Sequence, residues 1–128
     1  MLRTSRGAVA GDIDGDGGLD VIVVNRDARL SLLRNTADRG NWLSIDVRDS
    51  NGAPAIGAVV RYRMGDRRIR RDVRIARGYL TAMPPILHVG LGDAAAISDL
   101  LVRWPDGRTL RIDSLAAGDR HRIDPPAK

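Results

Sequence analysis

The chain contains no cysteine, no phenylalanine and no glutamate, and Lys128 is its one lysine. Without cysteine it forms no disulfide, no thiolate metal site and no cysteine nucleophile. It also lacks an apolar run of the roughly 18–20 residues that a membrane-spanning helix requires, and its first residues do not form the apolar core of a signal peptide. We therefore expect no membrane span, and either a mature or shortened piece of a longer protein or a protein that stays inside the cell.

The composition that remains favours an all-β protein. Fourteen glycines and six prolines separate short apolar runs, as in turn-rich β architectures. The net charge is +5, all acidic residues are aspartates, and the two signs are interspersed except in residues 66–74. A chain of 128 residues is long enough for one domain with a core, or for one domain with an appendage.

The most informative stretch is residues 12–20, DIDGDGGLD, which places aspartates at loop positions 1, 3, 5 and 9. Calcium takes six to eight oxygen ligands at about 2.3–2.6 Å, and alternate carboxylates on a tightly wound loop supply such ligands. Four carboxylates this close would repel one another without a cation. We therefore predict Ca²⁺ as the cofactor, with the following ligands: the carboxylates of Asp12, Asp14, Asp16 and Asp20 and the backbone carbonyl of Gly18.

The residues around these carboxylates decide which kind of calcium loop is predicted. Gly17, at position 6, allows a sharp turn because glycine has no Cβ. An EF-hand would need a bidentate glutamate at position 12 and a helix on each side, but position 12 is Val23. Apolar, β-branched flanks are typical of buried strands. The prediction is a strand, a calcium loop and a strand; the alternative is a solvated turn of aspartate and glycine.

Residues 1–36 are predicted to form a separate calcium-binding blade fragment. They contain three strand-like runs, in residues 7–11, 21–25 and 30–34. Three such strands form one blade of a β-propeller, and a single blade cannot bury both of its faces. Residues 37–41 are predicted to be a linker.

Residues 42–124 are predicted to form a β-sandwich of about seven short antiparallel strands. Short alternating segments at close spacing, separated by turn residues, are typical of this architecture. Residues 57–64 and 68–75 are predicted to pair as a hairpin. One helical turn is expected near residues 93–96, and residues 125–128 are predicted to be a tail.

Segments in two parts of the chain match known families. The first part contains RGAVAGD (6–12), DVIVVN (20–25) and LRN (33–35). These segments resemble an FG-GAP/VCBS repeat, the calcium-binding blade of integrin-α-type propellers. The second part contains IGA (56–58), GYL (78–80), LHVGLGD (87–93) and VRWPDG (102–107). These segments resemble the ASPIC/UnbV domain, named for an acidic secreted cartilage protein and a bacterial relative.

The resemblance implies an architecture and a location. In that family several blades precede one C-terminal ASPIC/UnbV domain, and the proteins are typically secreted or on the cell surface. The chain is then the C-terminal end of a longer protein with upstream propeller blades, and its location is extracellular. It departs from the family pattern in residues 81–85, TAMPP, where polar serine or glutamine residues are expected. A ligand-binding role is therefore not predicted for that loop.

Two residues outside the predicted calcium loop are candidates for ligand binding, and each could instead have a structural packing role. Tyr79 lies in a predicted loop and offers an aromatic platform for a sugar, or it packs on the edge of the sandwich. His88 lies in a strand-like run without a second histidine nearby, which favours a structural role.

The basic residues 66–74 form a third candidate. On the predicted hairpin, one face carries Arg68, Arg70 and Arg74 with Asp72, beside Arg61 and Arg63 of the partner strand. Such a face attracts sulfated glycans, nucleic acid or anionic lipid, and its alternative is a solvated outer face. Proteins that bind single-stranded nucleic acid interleave aromatic residues for stacking, and these are scarce here. A nucleic-acid partner is therefore not favoured.

No signature of catalysis accompanies these motifs. The serines lack a Gly-x-Ser-x-Gly elbow, and a carboxylate pair for glycoside cleavage would have to use the calcium ligands. The predicted function is a calcium-binding, non-catalytic, extracellular binding or adhesion module with a protein or glycan partner. Two alternatives stay open: a calcium-dependent enzyme of secondary metabolism or glycan processing, and a polyanion-binding domain that uses the arginine-rich hairpin.

Overall fold

A computed structural model describes residues 4–127 of the chain. All helical or extended secondary structure assigned within these residues consists of β-strands. The all-β prediction is confirmed. In chain order the strands are β1 (Ser5–Gly11), β2 (Asp20–Asn25), β3 (Ser31–Leu33), β4 (Asn41–Val47), β5 (Val59–Met64), β6 (Arg67–Asp72), β7 (Ala76–Gly78), β8 (Thr81–Ala82), β9 (Leu87–Gly92), β10 (Ala96–Arg103), β11 (Thr109–Ala116) and β12 (Arg120–Ile123). Between residues 4 and 127 there is no helix with the length and apolar character of a membrane span.

The chain divides into two compact units. The first unit comprises the residues up to Arg39 together with Ile75–Pro84, and the second comprises Gly40–Arg74 and the residues from Pro85 onward. The predicted sandwich range was continuous over residues 42–124. The structure instead places the segment Ile75–Pro84 in the first unit.

The first unit is built on an antiparallel sheet of β1, β2 and β3, in that order. Gly11 pairs with Asp20 at the end of the β1–β2 ladder, so the aspartate-rich segment is the loop that joins these strands. The three strands correspond to the predicted runs.

The hairpin of β7 and β8 completes the first unit and packs against β1. The approach is close because Gly7 has no side chain: a Cβ there would lie 2.6 Å from Cγ2 of Thr81. A second glycine, Gly78, is equally confined, since its Cβ would lie 2.5 Å from Oγ1 of Thr81. The absence of a side chain at position 7 lets the hairpin approach β1, and the glycine at position 78 leaves space for Thr81 within the hairpin itself.

The second unit is a sandwich of seven strands, which agrees with the predicted number. One sheet has the order β11-β10-β5-β6 and the other β12-β4-β9. All pairs are antiparallel except β12 with β4, which is parallel. One continuous core contains side chains from both sheets, including Ile45 and Leu87 from the smaller sheet and Val60 and Leu100 from the larger one.

Three local predictions need correction. Residues 93–96 form no helical turn; Asp93 lies in a turn and Ala96 begins β10. The hairpin strand that was predicted over residues 68–75 ends at Asp72. Arg74 therefore lies beyond the paired part of that hairpin, and Ile75 belongs to the first unit.

Candidate functional site

The loop between β1 and β2 takes its shape from two glycines. Gly15 has a φ of 77° and Gly17 a φ of 86°. Both values lie in the left-handed region, where a side chain would introduce strain. The turn at Gly17 was predicted from its position, whereas the turn at Gly15 was not. Together they wind the loop tightly enough to bring alternate side chains together.

Three of the four predicted carboxylates meet in this loop. Asp12, Asp14 and Asp16 each offer an oxygen, and these atoms all lie within 4.8 Å of one another. Calcium–oxygen bonds measure about 2.3–2.6 Å, so ligands on opposite sides of one ion lie roughly 4.6–5.2 Å apart. The donor type and the spacing of the three carboxylates therefore fit a calcium ion.

Backbone amides of the loop donate to all three carboxylates, and Oδ1 of Asp14 accepts from the N–H of Asp16 at 3.3 Å. Oδ1 of Asp12 accepts from the N–H of Gly15 at 2.9 Å, and its Oδ2 accepts from Gly17 at 3.0 Å. Oδ1 of Asp16 accepts from the N–H of Gly18 at 2.9 Å. The hydrogen bond from Gly18, assisted by Arg39, lowers the pKa of Asp16 below its ordinary value. Asp16 is therefore ionised at neutral pH, and carboxylate oxygens keep further lone pairs for a cation.

Asp20 is not part of this group of three. Its side chain is buried, with 3% of the residue exposed. Oδ1 accepts from the N–H of Asn35 at 2.8 Å, and Oδ2 accepts from the N–H of Ile13 at 3.3 Å. Asp20 thus ties the loop to the segment after β3. Calcium ligation by Asp20 and by the carbonyl of Gly18 stays a prediction, as does ligation by the three grouped carboxylates.

Two arginines contact the loop, and sequence reasoning missed both. Nη2 of Arg34 lies 2.5 Å from Oδ2 of Asp14, and Nη1 of Arg39 lies 2.5 Å from Oδ2 of Asp16. Arg39 also donates to the backbone oxygen of Asp16 at 3.0 Å. A Cβ at Gly18 would lie 2.9 Å from Nε of Arg39, so the glycine leaves room for this side chain. The two guanidinium groups partly neutralise the carboxylates.

The aromatic and histidine candidates lie in different units. Tyr79 is at the tip of the β7–β8 hairpin in the first unit, with 71% of the residue exposed. Its neighbour Leu80 is 78% exposed and has a φ of 53°. His88 lies on β9 in the second unit, where its ring stacks on Trp42 with the ring centres 5.8 Å apart. This stacking agrees with the structural role considered for His88.

The arginine candidates are only partly brought together. Arg68 and Arg70 lie on β6 directly opposite Arg63 and Arg61 of β5. Arg74 lies outside both strands. The predicted hairpin is therefore correct for Arg68 and Arg70 and wrong for Arg74.

The all-β fold with a seven-stranded sandwich is accompanied by a sequence match to the ASPIC and UnbV family over residues 48–128. The chain belongs to that family. The match starts after the first unit's three-stranded sheet, so the similarity of that sheet to an FG-GAP/VCBS repeat stays a prediction.

Three curated relatives carry the name cartilage acidic protein 1. The human protein is 37% identical over 122 residues, which cover 91% of this chain and 18% of the relative. The Xenopus tropicalis protein is 40% identical over 126 residues, with 94% and 19% covered. The mouse protein is 40% identical over 107 residues, with 80% and 16% covered. The chain thus spans less than one fifth of the length of these relatives.

Proposed function

We propose that the chain is a calcium-binding, non-catalytic module that acts outside the cell in binding or adhesion. The observation that carries this proposal is the group of Asp12, Asp14 and Asp16, whose ligand atoms lie within 4.8 Å of one another. Hard oxygen donors at this spacing suit calcium better than magnesium, which demands near-ideal octahedral geometry. Upstream propeller blades in a longer protein belong to the same proposal.

The extracellular part of the proposal is supported by the relatives. Their name refers to cartilage, a tissue that consists largely of extracellular matrix. Extracellular calcium modules bind with dissociation constants of roughly 10⁻⁴–10⁻³ M, and we expect this range here. The matched relatives are called acidic, whereas this chain has a net charge of +5. The basic character of this chain must therefore be explained from its own residues and not from its relatives.

The non-catalytic part is supported by the contacts of the titratable groups. His88 is packed on Trp42. The buried carboxylate of Asp46 in the second unit accepts hydrogen bonds from Arg48 at 2.6 Å and Arg120 at 2.7 Å. These are structural contacts that position no nucleophile beside a base. A protein or glycan partner therefore fits the chain better than a substrate.

Calorimetric titration of the chelator-treated protein with calcium tests the proposal. We expect one site in the unmodified chain and none in Asp14→Asn. Asp27→Asn is the matched control, since Asp27 is an exposed aspartate of the β2–β3 turn that contacts Arg26 at 3.9 Å. It should bind calcium as the unmodified chain does. No calcium heat in the unmodified chain, or an unchanged isotherm in Asp14→Asn, would refute the site.

A second variant tests the geometry of the loop. Calcium must compete with the guanidinium of Arg34 for Asp14, because one cation replaces the other beside the carboxylate. Arg34→Gln should therefore bind calcium more tightly than the unmodified chain. Weaker binding would mean that Arg34 supports the site and does not compete for it.

A further inference from the structure

The outer face of the larger sheet in the second unit carries rows of arginines. Arg61 pairs with Arg70, and Arg63 pairs with Arg68, in the β5–β6 ladder. Directly opposed residues of an antiparallel pair point to the same face, with Cβ atoms about 4.5–5.5 Å apart. Four guanidinium groups therefore project from one small area.

Arg111 extends this area across the sheet. Leu101 of β10 pairs with Arg61 on one side and with Arg111 of β11 on the other. The neighbouring residues Val60 and Val102 are fully buried in the core, so alternation along each strand directs the arginines outward. We call this surface the arginine face; it consists of Arg61, Arg63, Arg68, Arg70 and Arg111.

Carboxylates balance only part of this charge. Asp72 contacts Arg70 at 3.0 Å, and Asp99 contacts Arg111 at 3.4 Å. In the described part of the chain, the side chains of the other three arginines form no hydrogen bond or ion pair. Like charges placed directly opposite each other destabilise a strand pair. An anion between the two rows would remove this repulsion.

The face is concave enough to hold a ligand. Its arginines line a cavity of about 540 Å³ together with Ile69, Leu101 and Asp99. Asp99 lies where the pairing of β10 with β5 shifts register, between Ser98 and Leu101, and it has a φ of 49°. Such a bulge bends its strand and increases the local twist. The cavity, the charge and the bulge coincide at one place in the sheet.

We propose that the arginine face binds a sulfated polysaccharide. Neighbouring strands lie about 4.8 Å apart and alternate residues along a strand about 6.7 Å apart, so the paired arginines form a compact grid of cations. Guanidinium groups bind oxyanions with two parallel hydrogen bonds, and sulfate groups along a sugar chain supply oxyanions in series. The choice of a glycan rests on the extracellular location in the proposed function, but not on calcium binding.

Other polyanions fit this face less well. Single-stranded nucleic acids are held by aromatic side chains on which bases stack, and the aromatic residue of this region, Tyr62, is only 2% exposed. A membrane surface is bound by exposed apolar side chains beside basic ones. Here Leu101 is partly buried between Arg61 and Arg111, and Ile69 packs against the core on the other side of the sheet. The arginine face therefore offers positive charge, but no exposed aromatic side chain for base stacking and no exposed apolar side chain for membrane insertion.

Two double variants of the full chain test the proposal. Arg61→Gln with Arg68→Gln removes one cation from each opposed pair of the face. Arg67→Gln with Arg71→Gln is the matched control: it removes the same charge from the same hairpin, at positions that pair with Met64 and Val60 on the opposite side of the sheet. Unfolding curves of both variants establish that they are folded before binding is measured.

Binding is measured with a size-defined heparin oligosaccharide. We expect the face variant to bind at least about tenfold more weakly because charge-assisted contacts are lost, and the control variant to change less than about twofold. A plot of the logarithm of the affinity against the logarithm of the salt concentration should have a slope of roughly −3. Each of the four opposed arginines of β5 and β6 then neutralises one charge and contributes about −0.7. Equal weakening in both variants would overturn the proposal.

Further probes separate the sources of negative charge. The desulfated oligosaccharide, single-stranded DNA of equal charge and vesicles with phosphatidylserine should each bind more weakly than the sulfated chain. Equal or tighter binding of any of them would overturn the assignment to a sulfated ligand. Binding should persist in chelator and in Asp14→Asn, because the face lies within the second unit. Heparin binding would therefore persist even if the calcium site proved wrong. Loss of heparin binding in chelator would contradict the assignment of the ligand to the arginine face.

Discussion

The two units of this chain distribute apolar and polar side chains in opposite ways. Among residues 4–127, every buried hydrophobic side chain lies in the second unit. The first unit buries Asp20 and Asn25 instead, at 3% and 8% exposure. Large hydrophobic residues that remain exposed are concentrated in the first unit, with Leu30 and Leu33 at 63% and 57%. One unit is held by a hydrophobic core and the other by hydrogen bonds around buried polar groups.

The hydrogen bonds of the first unit show how it holds together without such a core. Asn25 accepts from Oγ of Ser5 at 3.0 Å and donates to the backbone oxygen of Arg29 at 2.8 Å. Asp20 accepts from the N–H groups of Ile13 and Asn35. Each hydrogen bond makes a net contribution of only about 0.5–1.5 kcal/mol. We therefore expect the first unit to be the weaker one and to depend on whatever binds its loop.

The largest expected change in the free energy of unfolding comes from truncating a core side chain of the second unit. Leu100 is completely buried in the second unit, and Leu100→Ala should lower the free energy of unfolding by about 2–5 kcal/mol. The two tryptophans, Trp42 and Trp104, both lie in the second unit, so their fluorescence in a urea titration reports this loss.

Leu32→Ala in the first unit is the matched control. Leu32 is 54% exposed, and its truncation should change stability by less than about 0.5 kcal/mol. Similar losses in both variants would show that the units do not differ in how they bury apolar surface.

A smaller effect is expected from the buried polar centre of the first unit. Asp20→Ala leaves the N–H groups of Ile13 and Asn35 without their acceptor, and the loss of these two partly buried hydrogen bonds should cost about 1–3 kcal/mol in total. Hydrogen exchange should speed up at residues 21–24 and stay unchanged at residues 59–62. Asp27→Ala, at an exposed aspartate of the same unit, should alter neither. Faster exchange in both segments would contradict the separate roles of the two units.

The smallest effect concerns the one carboxylate that the described second unit buries, Asp46. Burial raises its pKa, but the hydrogen bonds from Arg48 and Arg120 prevail and hold the pKa below the ordinary value of 3.8. Its contribution to stability is therefore complete above that value and is lost as the pH falls through the lower pKa of the folded state.

Asp46→Asn removes this titration. Urea midpoints followed by tryptophan fluorescence should fall less steeply with acid in this variant than in the unmodified chain. Asp113→Asn, at an exposed aspartate of β11, should keep the original steepness. An unaltered acid dependence in Asp46→Asn would contradict the pKa assignment.

Local patterns predicted most of the strands, but not β7 and β8, and they predicted the three carboxylates that meet. Alternation in the residues around Ile45 and Val47 identified β4, and the spacing of Asp12, Asp14 and Asp16 identified the loop, because both signals are complete within a few residues. The opposed arginines also followed from a short hairpin, apart from Arg74, because the end of β6 depends on where the chain leaves the sheet.

Contacts between distant segments could not be predicted in this way. Arg34 and Arg39 reach the loop from beyond β3, and no local motif marks them. The packing of β7 and β8 in the first unit depends on the missing side chain of Gly7, but a glycine within a strand does not by itself indicate which segment packs there. Asp20 has the right loop position for calcium, yet backbone N–H groups that the sequence does not reveal donate to both of its carboxylate oxygens.

Hydrogen exchange with and without calcium tests the central claim most directly. Calcium at 100 times its dissociation constant would add about 2.7 kcal/mol to a unit that binds it only when folded. The account predicts roughly 100-fold slower exchange at residues 21–24 on adding calcium, and no change at residues 59–62 or in Asp14→Asn. Equal protection of both segments, or none in either, would contradict a calcium-dependent first unit beside an independently stable second one.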